Sequence, residues 1–420
     1  MNETTSTKFT SYQKLAILIL AVTQFTVLLS FMIMSPMGDM LMKSIGLTPS
    51  QFGSVVSVYA FSAGVSGLLT AGFADRFDRK KLLLFFYVGF IIGTFVCGFA
   101  SSYQSLVIAR IITGLFGGVI GSISLAIVTD LFSLQQRGRV MGLIQMGIGA
   151  SQVLGIPVGL YLGNAFGWQS AFLVMGVLAL LIMLLILFNL KPVTAHLGLQ
   201  KHDSVLSHLW QTFTNKYYFL SYVTAATIAV GGYLIMPFSS VYAVNNLKVS
   251  PDQLPLMFMF AGVSSLIVMP LVGRLSDRFA KIKIFSIAII WMIIMVLIYT
   301  SLGPTPFVWV VILNIIMQMG LLSRSTPSSA LISAVPSMKD RGAFMSMNSS
   351  IQQLAGGVAA WAAGLIVVQT SPEAPLQHYP WIGYATAIVG VFSLVLMIQI
   401  HRYVKRKAST PEVIDEIEIK

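Results

Sequence analysis

The sequence predicts an all-α membrane protein with twelve transmembrane helices in two repeats of six. Three observations predict this fold class. Of the 420 residues, 56% are apolar and only 10% are charged, whereas soluble proteins carry about 25% charged residues. Apolar stretches of about 20 residues, the length that crosses a bilayer, recur along the whole chain. Landmarks in the first half of the chain return in the second half at a nearly constant offset.

The twelve predicted spans follow one another with mostly short polar connections. They lie at residues 15–37, 51–71, 82–100, 105–129, 143–163, 168–190, 218–243, 254–273, 284–302, 306–334, 343–369 and 381–401. The first apolar run, from Leu15 to Gly38, is longer than the apolar core of a signal peptide and lacks a small-x-small cleavage site. We therefore expect it to be retained as a membrane span.

The distribution of basic residues predicts the orientation. With the N-terminus inside, all but four of the 26 Lys and Arg residues lie in cytoplasmic segments, and the exceptions are Lys43, Lys248, Arg110 and Arg324. Such asymmetry follows the positive-inside rule. It predicts that both termini are cytoplasmic, and it accounts for the net charge of +12 without a nucleic-acid partner.

The chain divides into four regions. Residues 1–190 and 218–402 are the predicted six-helix bundles, and residues 403–420 form a charged cytoplasmic tail. Between the bundles, residues 191–217 are a linker in which Val205, Leu209 and Phe213 recur at helical spacing, as in a helix on the membrane surface. The single Cys97 excludes an internal disulfide, and His and Cys nowhere show the spacing of a metal site. We expect no metal and no cofactor.

The two bundles repeat each other. Pro36 corresponds to Pro237, Asp75-Arg76-Phe77 to Asp277-Arg278-Phe279, and Arg137-Gly138 to Arg341-Gly342. Three separated landmarks at nearly one offset indicate duplication of a six-helix unit. Halves of this kind enclose a site between them, and one half can rock against the other.

Two loop motifs carry a family resemblance. The loop after span two, Ala71 to Lys81, is similar to the G-x-x-x-D-R-x-G-R-K signature of the major facilitator superfamily, with Ala71 and Asp78 at the two glycine positions. A second copy runs from Gly273 to Lys281 and keeps the first glycine. The chain thus resembles this superfamily over essentially its whole length, and within it the bacterial drug and sugar efflux branch of arabinose-efflux-like permeases and drug:proton antiporters.

The resemblance implies a cytoplasmic latch. Asp75 would sit at the N-terminus of span eleven, entered at Gly342, where free backbone N–H groups favour an anion. Arg76 and Arg79 accompany it, and Asp130 can pair with either. The gating candidates are therefore Asp75, Arg76, Arg79, Asp130, their second-copy counterparts Asp277 and Arg278, and Asp39 at the outer end of span one. The alternative is that these charges only maintain topology.

Two glycine motifs extend the resemblance. Span four begins with Arg110 and continues with Gly114 and Gly118, like the family's R-x-x-x-G-x-x-x-G helix. Span five contains Gly155, Pro157 and Gly159, similar to the glycine-proline motif of exporters, although Ile156 separates its first glycine from the proline. This pattern favours export. The alternative is ordinary glycine packing with a kink at Pro157.

The membrane-embedded charges are basic, because none of the fourteen acids lies at mid-bilayer depth. Arg324 lies about 27 Å along span ten at 1.5 Å per residue, and Pro327 leaves the Ser323 carbonyl without its helical partner. We favour a substrate or gating role for Arg324 over bonding to backbone carbonyls. Arg110 lies about 9 Å from the outer edge, so it is either a site residue or snorkels to the headgroups.

Neutral polar side chains complete the candidate binding site. They pair on single helix faces, four or seven residues apart, except for Gln24 in span one. The candidates are Gln24, Gln145 and Gln152 in the first bundle, and Asn314, Gln318, Asn348 and Gln352 in the second. Hydrogen bonding between helices is an equally open role for each of them.

These features predict a secondary transporter that exports a small amphipathic or sugar-like compound by alternating access, coupled to protons. An alternative is a facilitator or importer of an organic anion, since none of the acids lies at mid-bilayer depth to carry protons. A further alternative is a transporter-like receptor or lipid-handling protein. Nucleotide-binding loops and catalytic triads are absent, so an enzyme is not expected. We expect a monomer in the bacterial inner membrane whose partners are the bilayer, the substrate and, if coupled, protons.

Overall fold

The computed structural model describes residues 9–71, 74–194, 197, 212–337 and 340–408. Within these ranges the elements are helices, and a single bridge between Val368 and Gln377 is the only β-type pairing. The all-α prediction is confirmed. Most of the predicted linker helix and of the predicted tail lies outside the described residues.

Eight helices precede the linker and form the N-terminal half. They are α1 (Ser11–Met32), α2 (Gly38–Ile45), α3 (Pro49–Ala71), α4 (Arg79–Gly98), α5 (Tyr103–Leu131), α6 (Leu134–Ala150), α7 (Ile156–Phe166) and α8 (Trp168–Asn189). A π-helical turn, Ser151–Gly155, joins α6 to α7. The predicted fifth span is therefore one helical segment with a widened turn in its middle.

Eight further helices follow the linker and form the C-terminal half. They are α9 (Lys216–Tyr233), α10 (Ser239–Asn245), α11 (Leu254–Arg278), α12 (Lys281–Thr300), α13 (Phe307–Ser323), α14 (Ser325–Ser333), α15 (Arg341–Ile366) and α16 (Tyr379–Ala408). Together α13 and α14 form the predicted tenth span, which is interrupted at Arg324.

Eleven helical segments of the described chain are long and apolar enough to cross a membrane. They correspond to all the predicted spans except the eleventh, which is α15. This helix has 26 residues, but Asn348, Gln352 and Gln353 lower its mean hydropathy. It packs along α3 of the other half.

Helix breaks occur at corresponding positions of the predicted repeat. The chain turns between α1 and α2 at Pro36, and a 3-10 turn, Met236–Phe238, separates α9 from α10 at Pro237. Proline lacks the N–H that would continue the helical ladder. Both first helices of the halves therefore break at equivalent prolines.

The helix ends define two sides of the molecule. On the linker side, the Lys191 N–H donates to the Tyr12 hydroxyl at 3.1 Å, and the Tyr217 and Tyr403 rings stack with centroids 3.7 Å apart. These contacts join the start of α1 to the end of α8, and the start of α9 to the end of α16. The opposite, distal side carries α2 and α10.

Candidate functional site

The two halves are joined by polar contacts on the distal side. The Ser35 hydroxyl donates to the Met236 carbonyl and lies 3.2 Å from the Ser239 hydroxyl. The Ser240 hydroxyl donates back to the Ser35 carbonyl at 2.6 Å. Nearby, Asn245 Nδ2 donates to Asp39 Oδ1 at 2.7 Å. These four bonds close the distal side between α1–α2 and α9–α10.

Glycines bring the halves together further along the interface. A Cβ added to Gly53 of α3 would lie 2.9 Å from the Gly364 Cα of α15, and one added to Gly67 would lie 2.7 Å from the Ser350 hydroxyl. Small residues allow helices to approach this closely. The contact of α3 with α15 therefore runs from the distal side past mid-height.

The halves separate toward the linker side. A Cβ added to Gly138, Gly142, Gly273 or Gly342 would meet no described atom within 4 Å. Met345 lies one turn into α15 and is 41% exposed, whereas the later turns of the same helix are buried against α3. Among the described residues, the halves are thus in contact on the distal side and apart at these linker-side positions.

A polar cavity lies in the C-terminal half among α9, α13, α14 and α15. It consists of two adjoining spaces of about 310 Å³ and 230 Å³, which share Ile228, Ser349 and Gln352. The larger space is also bordered by Gly232, Tyr233, Arg324 and Ser325, and the smaller by Ser328, Asn348 and Met345. No acidic residue is among the described side chains that line either space.

Arg324 is the charged group of this cavity. It is 5% exposed and lies at the junction of α13 and α14, where the helix is interrupted as the position of Pro327 predicts. Its Nε donates to the Leu321 carbonyl at 3.3 Å. Its Nη atoms lie against Gly231 and Gly232 of α9, where an added Cβ would come within 3.2 Å and 3.4 Å of them, respectively. The glycines leave room for the guanidinium beside the cavity.

The amides that α15 contributes lie one turn apart. Asn348 is 5% exposed, and its Oδ1 has no hydrogen-bond partner among the described residues. Gln352 borders both spaces. A buried polar atom without a partner costs free energy, so Asn348 is suited to receive a donor from a bound molecule. Three predicted residues, Arg324, Asn348 and Gln352, therefore line one cavity.

Aromatic rings separate this cavity from the distal contacts. Phe31 of α1 stacks on Tyr59 of α3 with centroids 5.2 Å apart and contacts Tyr233 of α9 at 5.9 Å. The Tyr233 hydroxyl donates to Gln353 at 2.7 Å. The sequence analysis missed this cluster, because an aromatic residue in an apolar span is indistinguishable from a lipid-facing one until neighbouring helices are placed.

Arg110 is buried inside the N-terminal half and does not snorkel to the headgroups, because it is 0% exposed. One Nη donates to the Ser30 carbonyl at 3.0 Å, and the guanidinium lies 4.3 Å from the Tyr59 ring centroid. Its Nε and other Nη have no partner in the described part of the chain. Arg110 thus contacts the aromatic cluster but lies apart from the Arg324 cavity.

Gln152 bridges the halves. Its Oε1 accepts from Ser265 of α11 at 2.7 Å, and its Nε2 lies 3.9 Å from the Met32 sulfur. The remaining predicted amides lie elsewhere. Asn314 donates to the Tyr299 hydroxyl at 3.4 Å, and Gln24 faces Gly121 of α5. Gln318 is half-buried, and Gln145 is exposed. None of these five lines the Arg324 cavity.

The charged residues on the linker side either pair within one half or are exposed. Arg79 pairs with Asp130 at 3.5 Å, so of the two arginines considered it is Arg79 that contacts this carboxylate. Arg76, Asp277 and Arg278 are exposed. The Asp75 side chain lies outside the described residues.

Asp78, at a glycine position of the loop signature, has its own role in this chain. Its Oδ1 accepts the Lys80 N–H at 2.8 Å and the Val193 N–H at 3.0 Å. Its φ of −54° does not require glycine. The substitution therefore caps α4 and binds the segment after α8.

Two helical halves in contact on one side, with a polar cavity in the second half, are an arrangement typical of transporters with internal repeats. The Major Facilitator Superfamily profile matches residues 20–236 and 218–415, and the chain belongs to this family. The predicted resemblance is confirmed. The family consists of transporters, so the protein is a multi-pass membrane transporter and not an enzyme.

Individual relatives agree with this assignment. The chain is 25% identical to an uncharacterized MFS-type transporter, YbcL, of Bacillus subtilis (strain 168), over 91% of this chain and 95% of the relative. It is 27% identical to a probable sugar efflux transporter of Mannheimia succiniciproducens, with 83% and 84% covered.

Solved structures share the fold. A bacterial homologue of the human lysosomal transporter Spinster, inward-facing and unoccupied, has a TM-score of 0.77 at 15% identity, covering 95% of this chain and 99% of that one. A D-xylose-proton symporter has a TM-score of 0.73 at 18% identity, with 92% and 97% covered.

Proposed function

We propose that the protein exports a small amphipathic or sugar-like compound across the bacterial inner membrane by alternating access. In this proposal α15 is the eleventh of twelve spans, residues 1–190 and 218–402 are the two moving bundles, and both chain termini are cytoplasmic. The linker side then faces the cytoplasm, as the distribution of Lys and Arg predicts. The described conformation is the one that accepts the compound from inside.

The cavity of the C-terminal half carries this proposal. Arg324 presents donors to it, Asn348 presents an acceptor, and Gln352 presents both, while Ile228 and Met345 supply apolar contact. A few placed polar groups on an apolar wall suit a compound with hydroxyl groups and a less polar face. The distal contacts of Ser35 and Asp39 prevent its release until the halves rock.

Two further observations favour export. One relative is named a probable sugar efflux transporter. In addition, the π-helical turn Ser151–Gly155 falls on the glycine-proline pattern of span five, and π turns occur frequently at functional sites. The turn packs on Gly262 of α11, where the two halves meet.

Proton coupling is part of the proposal, and Asp39 is its candidate. It is 5% exposed, and its carboxylate accepts a bond from the opposite half. Opening the distal side would break that bond and expose the carboxylate to the outside. An antiporter can use such a change of access to exchange a proton for the compound.

Counterflow in proteoliposomes tests the proposal. A thermal-stability screen of the purified protein against sugars, organic acids and amphipathic drugs first selects the compound. Labelled compound should then exchange across the membrane, and a pH gradient should accelerate its movement. A compound that stabilises the protein but never exchanges would overturn export and favour a receptor or lipid-handling role.

A facilitator or importer of an organic anion is the second candidate. Arg324 favours it, since the described lining of its cavity contains no carboxylate to neutralise the guanidinium. In that case organic acids should be the stabilising compounds, and their exchange should not respond to a pH gradient. Proton-accelerated exchange of a neutral sugar would exclude this candidate.

A further inference from the structure

An apolar groove open to the surface of the molecule runs along the N-terminal half between α1 and α6. Its volume is about 470 Å³, and Leu18, Val22, Phe25, Met146 and Ala150 form its walls. Leu18 and Met146 are 56% and 65% exposed. The groove is separate from the Arg324 cavity, which lies in the other half.

Two cations stand at the linker-side end of this groove. Lys14 is part of its lining. The Arg139 guanidinium lies 5.0 Å from the ring centroid of Phe9, which also lines the groove. Both cations are exposed, and neither pairs with a carboxylate of the described chain. The groove is therefore apolar along its length and positive at one end.

The C-terminal half contains the corresponding groove without the charge. Phe219 and Val223 take the places of Leu18 and Val22 at the offset of 201 residues, and they line an apolar space of about 460 Å³ that α15 borders at Ile351 and α16 at Val389 and Phe392. The duplication thus repeats the wall that the first helix of each half contributes, whereas the opposite wall comes from α6 in the first groove and mainly from α16 in the second.

The basic positions differ between the two grooves. Asn215 stands at the position of Lys14, and Ala343 at that of Arg139. Asn215 has a structural task of its own, because its Oδ1 accepts the Tyr217 N–H at 3.0 Å. Neither of the two basic positions of the first groove is therefore basic in the second half.

We propose that an anionic phospholipid of the linker-side leaflet binds this groove, with its phosphate on Lys14 and Arg139 and one acyl chain between α1 and α6. From Lys14 to Phe25 the helix rises about 16 Å. That length matches one leaflet, about half of the ~30 Å hydrocarbon core. The groove therefore fits an acyl chain whose headgroup lies at the level of the two cations.

The energetics favour an anionic headgroup. An acyl chain is equally apolar in lipid and in the groove, so its transfer contributes little selectivity. Basic residues near a membrane surface attract anionic lipid by about 1 kcal/mol each, which is about fivefold in affinity. The two cations together should favour phosphatidylglycerol over phosphatidylcholine by about 25-fold at this site.

The test is lipid titration of the purified full-length protein in a neutral detergent. Phosphatidylglycerol should raise the melting temperature more than phosphatidylcholine does, and native mass spectrometry should detect one preferentially bound anionic lipid. Lys14→Gln and Arg139→Gln should each weaken this binding about fivefold. Lys216→Gln is the matched control, since Lys216 is an exposed lysine at the linker-side start of α9 that lines neither groove, and it should leave the selectivity intact.

A second variant tests the groove itself. Ala150→Phe keeps both cations and fills the acyl-chain space, so it should abolish the preferential lipid while its melting temperature in phosphatidylcholine shows that it is folded. Val22→Phe fills the same groove from α1 and replaces it if Ala150→Phe does not fold. The proposal would be overturned if the two lipids had equal effects, or if the groove-filling variants bound lipid as the parent does. Lys14 and Arg139 would then serve only to set the membrane orientation.

Discussion

Arg324 uses one of its donors within its own helix and keeps the others beside the cavity. Only Nε is bonded to a described residue, the Leu321 carbonyl at 3.3 Å. A residue that only braced the interruption between α13 and α14 would place its Nη atoms on the free carbonyls there. The described geometry instead places them against Gly231 and Gly232, at the cavity wall.

We expect Arg324→Gln to weaken binding of the transported compound about 10- to 150-fold, the loss of a charge-assisted hydrogen bond of about 1.5 to 3 kcal/mol. Arg324→Lys keeps the charge but loses the planar fork, and it should retain part of the affinity. Affinity and melting temperature are measured on the same purified variant. A lower melting temperature with intact affinity would assign Arg324 to the helix interruption instead.

Replacing Asn348 should affect the stability of the unliganded protein and the binding of the compound differently. Its buried Oδ1 has no partner among the described residues, so Asn348→Leu should leave the melting temperature of the unliganded protein unchanged or raise it. The same variant should lose most of the stabilisation by the compound. The free energy involved is about 1 to 3 kcal/mol.

Asn314→Leu is the matched control for Asn348→Leu. Asn314 is buried to the same extent but bonds Tyr299. Its replacement should lower the melting temperature and leave the stabilisation by the compound unaltered. The reverse pattern for the two asparagines would contradict the assigned cavity.

Helical spacing predicted the depth of Arg324 and the shared face of Asn348 and Gln352, because both depend only on local geometry. It did not distinguish Asn314 from Asn348. Each asparagine lies on a polar face of its own helix, and only the placement of neighbouring helices decides that Asn314 meets Tyr299 while Asn348 meets the cavity. Long-range packing also determines the position of Tyr233, which the sequence analysis did not single out.

At the scale of the elements, the breaks in the spans were more predictable than their contacts. The breaks at Pro36, Pro237 and Arg324 follow from proline chemistry. The π turn Ser151–Gly155 precedes Pro157, but its packing on Gly262 depends on the docking of the two halves. A pattern within one span cannot specify that docking.

Gly262 makes this helix contact testable. A Cβ there would lie 2.8 Å from the Gln152 carbonyl oxygen and 3.1 Å from the Val153 Cα, both backbone atoms. Gly262→Ala should therefore separate the π turn from α11 and lower stability by about 1 to 3 kcal/mol, measured as the melting temperature in detergent.

Gly273→Ala in the same helix is the control for Gly262→Ala. Its Cβ would meet no described atom, and alanine favours a helix over glycine by about 1 kcal/mol. This variant should be as stable as the parent or more so. Equal losses in both variants would contradict the close approach at Gly262.

At the scale of the whole molecule, the distal contacts hold the observed conformation. Asp39 has two partners of different kinds: Asn245 lies across the interface at 2.7 Å, and Lys43 lies one turn along α2 at 3.0 Å. Only the first bond is lost when the halves separate. The equilibrium between the two conformations should therefore depend on Asn245 and not on Lys43.

We expect Asn245→Leu to shift this equilibrium toward distal-open forms about 10- to 150-fold, because a bond to a charged group contributes about 1.5 to 3 kcal/mol. Spin labels at Ser44→Cys and Ser301→Cys, in a Cys97→Ser background, report the distance between the halves on the distal side. Asn245→Leu should add a longer distance, and Lys43→Gln should not. The same distances in both variants would assign the closed state to other contacts.

The polarity of α15 also has a consequence for biogenesis. Helices enter the bilayer from the translocon according to their apolarity, and polar amides oppose that step. Each of the other predicted spans is apolar enough to meet this requirement by itself, whereas α15 is not. It packs instead against α3, a helix that is synthesised much earlier. The N-terminal half thus serves as an intramolecular assembly partner for α15, and the C-terminal half expressed alone should integrate this helix poorly until the N-terminal half is supplied in trans.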